Sequence, residues 1–264
     1  MKAILIQSLG VLALIATLVP ATSSAKQVRT SGAMCTRGVT YAALMSETSK
    51  FLSDAEKKDL QSGKQVAKFV AQENGYEIGY VFSLTGYDAE LIMGVFSSCD
   101  EHAGPNGLGG FIDKSKYVKS GDTNPFQVYY EQEGSWPYGG AKYTVENSMQ
   151  TVNVRSGRGY ILNSRLLDSS DASFSPSWLD AYFQATPHGK GSFVIACNYM
   201  VPRTGRWKGT FNDKASDRLK ASGTNLLRWV TRIAPENEKT HAYRARLKKL
   251  LEQVPAKKQS NQIY

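Results

Sequence analysis

From Tyr76 to Leu84 the apolar side chains fall on alternate residues: Tyr76, Ile78, Tyr80, Phe82 and Leu84. That two-residue period predicts a strand with one apolar face. Asn74-Gly75 just before it is a hairpin turn signal and makes residues 65–72 the partner strand. Further strands are predicted over Phe111–Lys119, Phe126–Gln132, Lys142–Val152, Gly159–Asp168 and Trp178–Thr186, with turn-forming residues between them. Phe193, Ile195, Cys197, Tyr199 and Val201 alternate once more and stop at Pro202. The three-and-four spacing of helices appears elsewhere. Ser53-Asp-Ala-Glu56 is a capping box that opens a short helix ending at Gly63. Asp88 can cap a second over Ala89–Phe96. The longest helix starts at Asn212 or Asp213 and stops before Pro235, with Ala215, Leu219, Ser222, Leu226, Val230 and Ile233 along one side. A further amphipathic segment, Thr240–Val254, aligns Tyr243, Leu247, Leu250, Leu251 and Val254.

Consecutive strands with short connections imply an antiparallel meander. A curved sheet with one apolar face needs a cover, and 213–233 is the long helix on offer. The expected class is therefore α+β: a curved antiparallel sheet of about seven strands gripping a long C-terminal helix.

The N-terminus carries a different signal. Met1-Lys2 is followed by a mostly apolar run from Ala3 to Val19, then Pro20 and the small residues up to Ala25. This is the layout of a secretory signal peptide with cleavage near Ala25, and it predicts an exported protein, periplasmic or extracellular. The expected organisation is a signal peptide over 1–25, an arm over 26–49, the main domain over 50–235, and a basic helix and tail over 236–264. Export permits a disulfide. Cys35, Cys99 and Cys197 allow three pairings. Cys197 sits inside a strand pattern and reads as a small core hydrophobe, which leaves Cys35–Cys99 as the expected bridge.

The chain has 264 residues, 41% of them hydrophobic and 11% aromatic, with a formal net charge of +9. That excludes disorder and the cysteine-dense scaffolds. From Arg203 onward there are 15 Lys and Arg against 5 Asp and Glu, so the excess is concentrated at the C-terminal end. Arg228, Arg232, Arg244, Arg246, Lys248 and Lys249 could meet an anionic membrane surface, or form an ordinary solvated face. No nucleic-acid module is visible, so nucleic acid is not an expected partner. Nucleophile-elbow, zinc-protease, phosphate-loop and dinucleotide-binding motifs are missing from the sequence. The three histidines, His102, His188 and His241, make no pair at metal-ligand spacing. No cofactor or metal is expected.

Three stretches carry a family resemblance. They are Tyr80–Phe96, a strand running into a helix; Lys114-Ser-Lys-Tyr-Val-Lys119; and Gly191–Ile233, with Asn198-Tyr-Met-Val-Pro202 and Arg206-Trp-Lys-Gly209 ahead of the covering helix. Their order resembles the helix-grip fold of the START-like (SRPBCC) superfamily, and the block Gly191–Ile233 is similar to secreted bacterial members of it. The resemblance covers roughly residues 50–235. It implies a cavity between sheet and helix for a lipid or other hydrophobic small molecule, held without catalysis. The candidate inward-facing residues are Tyr80, Phe82, Tyr130, Tyr160, Tyr199, Leu226 and Trp229. Polar residues within apolar patterns add Arg165, Asn198 and Asn225, because a buried polar group needs a partner. The two asparagines could bond each other or the backbone, or touch the ligand. Arg165 could reach outward to solvent or meet an anionic head group. Loops 103–110 and 168–176 are candidate gates. Two other functions fit the same fold: a cyclase-like or hydrolytic enzyme, and an envelope interaction protein acting through its basic C-terminal region.

Overall fold

A computed structural model describes residues 35, 38–104, 106–109, 111–118, 121–132, 140–170, 175–203, 205, 208–233, 238–253 and 261–262. The predicted signal peptide and part of the arm lie outside the described residues, as do the turn at 136–139, parts of both candidate gates and most of the tail.

Two short helices come first, α1 (Tyr41–Met45) and α2 (Asp54–Gln61). The capping box at α2 forms as expected: Ser53 Oγ accepts the Glu56 N–H and the Glu56 carboxylate accepts the Ser53 N–H at 2.7 Å. The chain then folds into β1 (Val66–Ala71) and β2 (Glu77–Thr85). Gly75 between them has φ +78°, a left-handed turn position that suits glycine. Helix α3 (Ala89–Ser97) follows, capped by Asp88 Oδ1 on the Leu91 N–H at 2.8 Å. After a 3-10 turn at Cys99–Glu101 come β3 (Ile112–Tyr117), β4 (Phe126–Gln132), β5 (Ala141–Val154), β6 (Gly157–Ser169), β7 (Pro176–His188) and β8 (Gly191–Pro202). Two helices close the chain, α4 (Lys208–Ile233) and α5 (Glu238–Glu252), before a two-residue strand β9 (Asn261–Gln262) parallel to β5.

The strand order is β1-β2-β8-β7-β6-β5-β4-β3, with every adjacent pair antiparallel. Eight antiparallel strands form the curved sheet, one more than expected. Nor is it a single meander. Helix α3 carries the chain from β2 to the far edge at β3, and the strands then walk back until β8 closes on β2.

Strand β2 is buried on both faces, not one. Ile78, Tyr80 and Phe82 are buried, and so are Val81 and Ser83 on the opposite face. The cause is a cover on each side. On the concave side α4 approaches so closely that a Cβ at Gly79 would lie 2.6 Å from Leu219 Cδ2. On the convex side the N-terminal segment packs: Phe51 meets Tyr80 edge-on at 5.1 Å, and Cys35, Leu44, Leu52 and Leu60 join the same core. A Cys35–Cys197 disulfide ties that segment to β8, with Cα atoms 6.0 Å apart. The expected Cys35–Cys99 bridge is therefore incorrect. Cys197 points to the convex face, where Cys35 lies, whereas Cys99 is a free buried thiol in the concave core.

The long helix begins at Lys208, ahead of the predicted cap. Asn212 instead donates to the Gly75 carbonyl at 3.0 Å. The C-terminal half of α4 is anchored by buried Leu226, Trp229, Val230 and Ile233, whereas the N-terminal half buries only Phe211. Helix α5 packs on α3 with Tyr243, Leu247 and Leu250 buried in the same core. A Cβ at Gly94 would stand 2.7 Å from the Tyr243 carbonyl oxygen, so glycine sets that close approach.

Candidate ligand cavity

The crossing of α4 over the concave face leaves a cavity of about 240 Å³ under the lightly anchored half of the helix. Tyr130, Tyr143, Val145, Leu162 and Phe183 form its floor. Phe96, Leu108 and Phe111 wall one side, and Phe211, Ala215, Leu219, Lys214 and Arg218 form the roof. The walls are mainly apolar because inward strand positions alternate with outward ones, and a helix on top requires small or apolar neighbours.

One end is closed by a polar cluster. His102, 2% exposed, donates from Nε2 to the Phe96 carbonyl at 2.8 Å, since a carbonyl can only accept. Nδ1 is left as an acceptor, and the Tyr130 hydroxyl donates to it at 2.8 Å. Burial pushes the imidazole down to about 4, so it is neutral. Burial likewise pushes the neighbouring Cys99 thiol up to about 12 and holds Tyr130 and Tyr143 above the usual phenol value. At neutral pH each group carries the proton that its hydrogen bonds require. The Tyr143 hydroxyl accepts from Gln132 Nε2 at 2.5 Å, and Gln132 Oε1 accepts from Arg218 at 3.0 Å. The Arg218 guanidinium also lies 5.4 Å above the Phe111 ring, tying the roof to floor and wall.

A second polar feature lies on the floor. Asn147, 2% exposed, accepts from Ser164 Oγ at 2.5 Å through Oδ1, while its Nδ2 has no partner. Asn198 also lines the cavity, and its side chain makes no hydrogen bond among the described residues.

The predicted site residues divide among several places. Tyr130 and Asn198 line the cavity. Leu226, Trp229 and Tyr160 belong to the concave core beyond its walls; Trp229 packs edge-on against His102 at 6.3 Å. Tyr80, Phe82 and Tyr199 face the opposite way, so their assignment as inward-facing is corrected. Phe82 stacks on Phe193 in the convex core, and the Tyr199 hydroxyl accepts from Asn74 at 2.7 Å. Arg165 is displaced outward as well, and pairs with Glu146 at 2.6 Å on the convex side. Asn225 takes the backbone alternative, donating to the Leu108 carbonyl at 2.9 Å. Sequence reasoning passed over Asn147, Ser164, Gln132 and Arg218. The signal was present for the first of these: Asn147 interrupts the apolar alternation Tyr143, Val145, Met149.

Much of the basic C-terminal region is engaged within the protein. Arg244 grips Asp88 with both nitrogens at 2.9 and 2.7 Å. Arg246 donates to the Tyr117 hydroxyl and to the Gly121 carbonyl. Lys249 pairs with Asp122 at 2.8 Å, and Arg232 with Asn106 at 2.7 Å. Arg228 and Lys248 are exposed. Among the described residues no His, Cys, Asp and Glu cluster suits a metal, and no helix is long and apolar enough to cross a membrane.

Solved structures share this architecture. The STAR-related lipid transfer protein of Xanthomonas axonopodis superposes with a TM-score of 0.53 at 10% identity, over 63% of this chain and 93% of that one. Human STARD10 superposes with a TM-score of 0.54 at 12% identity, over 83% and 96%. Human StAR-related lipid transfer protein 5 gives 0.50 at 6% identity, over 65% and 83%. The fold is START-like, a helix grip. No protein-family model matches the sequence, and no curated protein is significantly similar to it. Helix α5 packs against α3 in the concave core, and the disulfide-tied N-terminal segment covers the convex face of the sheet.

Proposed function

We propose that this START-like protein is exported and binds a compact apolar molecule in the cavity beneath α4, without doing chemistry on it. One observation carries this reading: an apolar hollow of about 240 Å³ with an unsatisfied amide on its floor. Its size lies between a cavity of about 150 Å³ that holds benzene and the roughly 300–1,000 Å³ of drug-sized pockets. A single-chain or ring-sized hydrophobe suits it better than a two-chain lipid. Lipid transfer is named for two of the similar structures, which supports an apolar cargo. Burying roughly 250 Å² of ligand at about 25 cal/mol per Å² yields about 6 kcal/mol before immobilisation costs, so a dissociation constant of tens of micromolar or weaker is expected.

A non-catalytic role is supported by the cluster at the closed end. His102 and Cys99 have proton affinities moved away from neutrality in opposite senses, so neither is poised to exchange a proton there. Export is supported by the Cys35–Cys197 disulfide, a bond favoured in oxidising compartments. The test is displacement of the fluorescent hydrophobe N-phenyl-1-naphthylamine, with Ala181→Phe as the blocked control. Saturable wild-type binding that Ala181→Phe abolishes at unchanged melting temperature is the expected result. Equal fluorescence from both proteins would end the proposal.

A further inference from the structure

Asn147, Ser164, Ala181 and Asn198 stand in one row across the concave floor. The ladders place Asn147 opposite Ser164, Ser164 opposite Ala181, and Ala181 opposite Asn198. All four line the cavity. The row then ends at Gly79, opposite Asn198, where α4 presses down. The neighbouring row on one side is Met149, Leu162, Phe183, Ala196 and Val81, apolar throughout. On the other side stand Val145, Leu166, Leu179 and Met200. A line of polar side chains, broken only by Ala181, therefore runs from β5 to β8 between two apolar rows, perpendicular to the strands.

Each end carries an amide with hydrogen-bonding capacity to spare, buried at Asn147 and half-buried at Asn198. At one, Asn147 is 2% exposed and its Nδ2–H groups bond nothing, because Ser164 has taken only the oxygen. At the other, the Asn198 amide has no hydrogen bond among the described residues. Between them Ala181 keeps the floor low. Asn147 and Asn198 are three strand spacings apart, ~14 Å along the sheet, and side chains converging from a concave surface shorten that span. The cations at the cavity, Lys214 and Arg218, belong to the roof helix and not to the floor. A carboxylate or phosphate set against Asn147 would be desolvated without a counter-charge. A neutral oxygen would instead satisfy the buried donor.

From this geometry we infer that the ligand is an uncharged, rod-like apolar molecule with an oxygen function, hydroxyl or carbonyl, near each end, lying across the strands along this row. The inference rests on the binding function proposed above and specifies its cargo. One oxygen accepts from Asn147 Nδ2, and the other meets the Asn198 amide, which both donates and accepts. The apolar body lies over Ala181, between Leu162 and Phe183 on one side and Leu179 on the other.

Three probes of one length separate the possibilities: decane, 1-decanol and 1,10-decanediol, each displacing N-phenyl-1-naphthylamine from the full chain. Wild type is compared with Asn147→Leu and Asn198→Leu, close in volume but unable to hydrogen-bond. Each variant is expected to weaken the diol about tenfold while leaving decane within twofold of wild type. Asn198→Leu removes an amide that bonds nothing in the protein, so it reports even if Asn147→Leu fails to fold for want of the Ser164 contact. Decane binding with diol affinity unchanged in Asn198→Leu would overturn the polar row and leave the cavity function standing. No displacement of the fluorophore by any probe would overturn both.

Discussion

The Tyr130 hydroxyl donates to Nδ1 of His102 because the Phe96 carbonyl has already fixed the proton on Nε2. Burial holds this imidazole neutral with its value lowered to about 4, and the Arg246 charge acts in the same sense against Asp100 and the Phe96 carbonyl. In the unfolded chain the same ring titrates near 6.5. Above that pH both states are neutral and the stability is fully present. As pH falls from about 6.5 to about 4, the unfolded state takes up a proton that the native state refuses, and stability is lost. Over the whole window the loss is roughly 3 kcal/mol. Thermal melts between pH 7 and pH 4 should show the decline, and His102→Gln, which can still accept from Tyr130 and donate to Phe96, should flatten it. A parallel decline in the variant would remove His102 as the cause.

The eight strands were largely legible because alternation survives wherever one side of the strand is packed differently from the other. Strand β4 has the predicted bounds, and β5 to β8 differ from prediction only at their ends. What alternation does not reveal is which parity faces the helix. Tyr199 and Asn198 were both taken as inward, yet adjacent strand residues point to opposite faces. The aromatic parity of β2, Tyr80 and Phe82, turned convex, and the parity containing Gly79 and Val81 turned toward α4. Smallness was the usable clue: a helix lying across a sheet needs a residue such as Gly79 beneath it, where a Cβ would meet Leu219. The convex cover was hidden because residues 38–52 supply it with isolated apolar residues such as Leu44, Phe51 and Leu52, in no recognisable period.

Gly94 offers a test of the α3–α5 contact. A methyl group there would meet backbone, the Tyr243 carbonyl, rather than a flexible side-chain end. Gly94→Ala normally favours a helix, but here the helices must separate. We expect a net destabilisation of about 1–3 kcal/mol, read from urea unfolding. A gain in stability would mean that α5 does not sit against α3 as described.

Asp88 joins the same two helices by another route. Its carboxylate caps α3 through the Leu91 N–H and receives both Arg244 nitrogens from α5. Burial alone would raise this carboxyl, but Arg244 and the cap outweigh it and hold it below its ordinary value. Asp88→Asn retains a capping oxygen and should cost about 0.5–1 kcal/mol, whereas Asp88→Ala should cost about 2 kcal/mol. Equal losses in the two variants would show that the neutral cap contributes nothing.

The disulfide makes a prediction that can be read by counting thiols. Cys35 and Cys197 are bonded across a sequence separation of 162, and Cys99 is a buried free cysteine whose thiol burial keeps protonated. The native protein should therefore give no fast reaction with a thiol reagent, one thiol when unfolded without reductant, and three when unfolded and reduced. Breaking so long a loop removes a large constraint on the unfolded chain, about 3–5 kcal/mol. Cys35→Ser should lower the unfolding midpoint accordingly, and it should loosen residues 38–61 from the convex face before the cavity side yields. Hydrogen exchange resolves that order. Protection lost first on α2, with α4 unchanged, is the expected pattern; simultaneous loss on both faces would mean that the convex cover and the cavity side unfold as one unit.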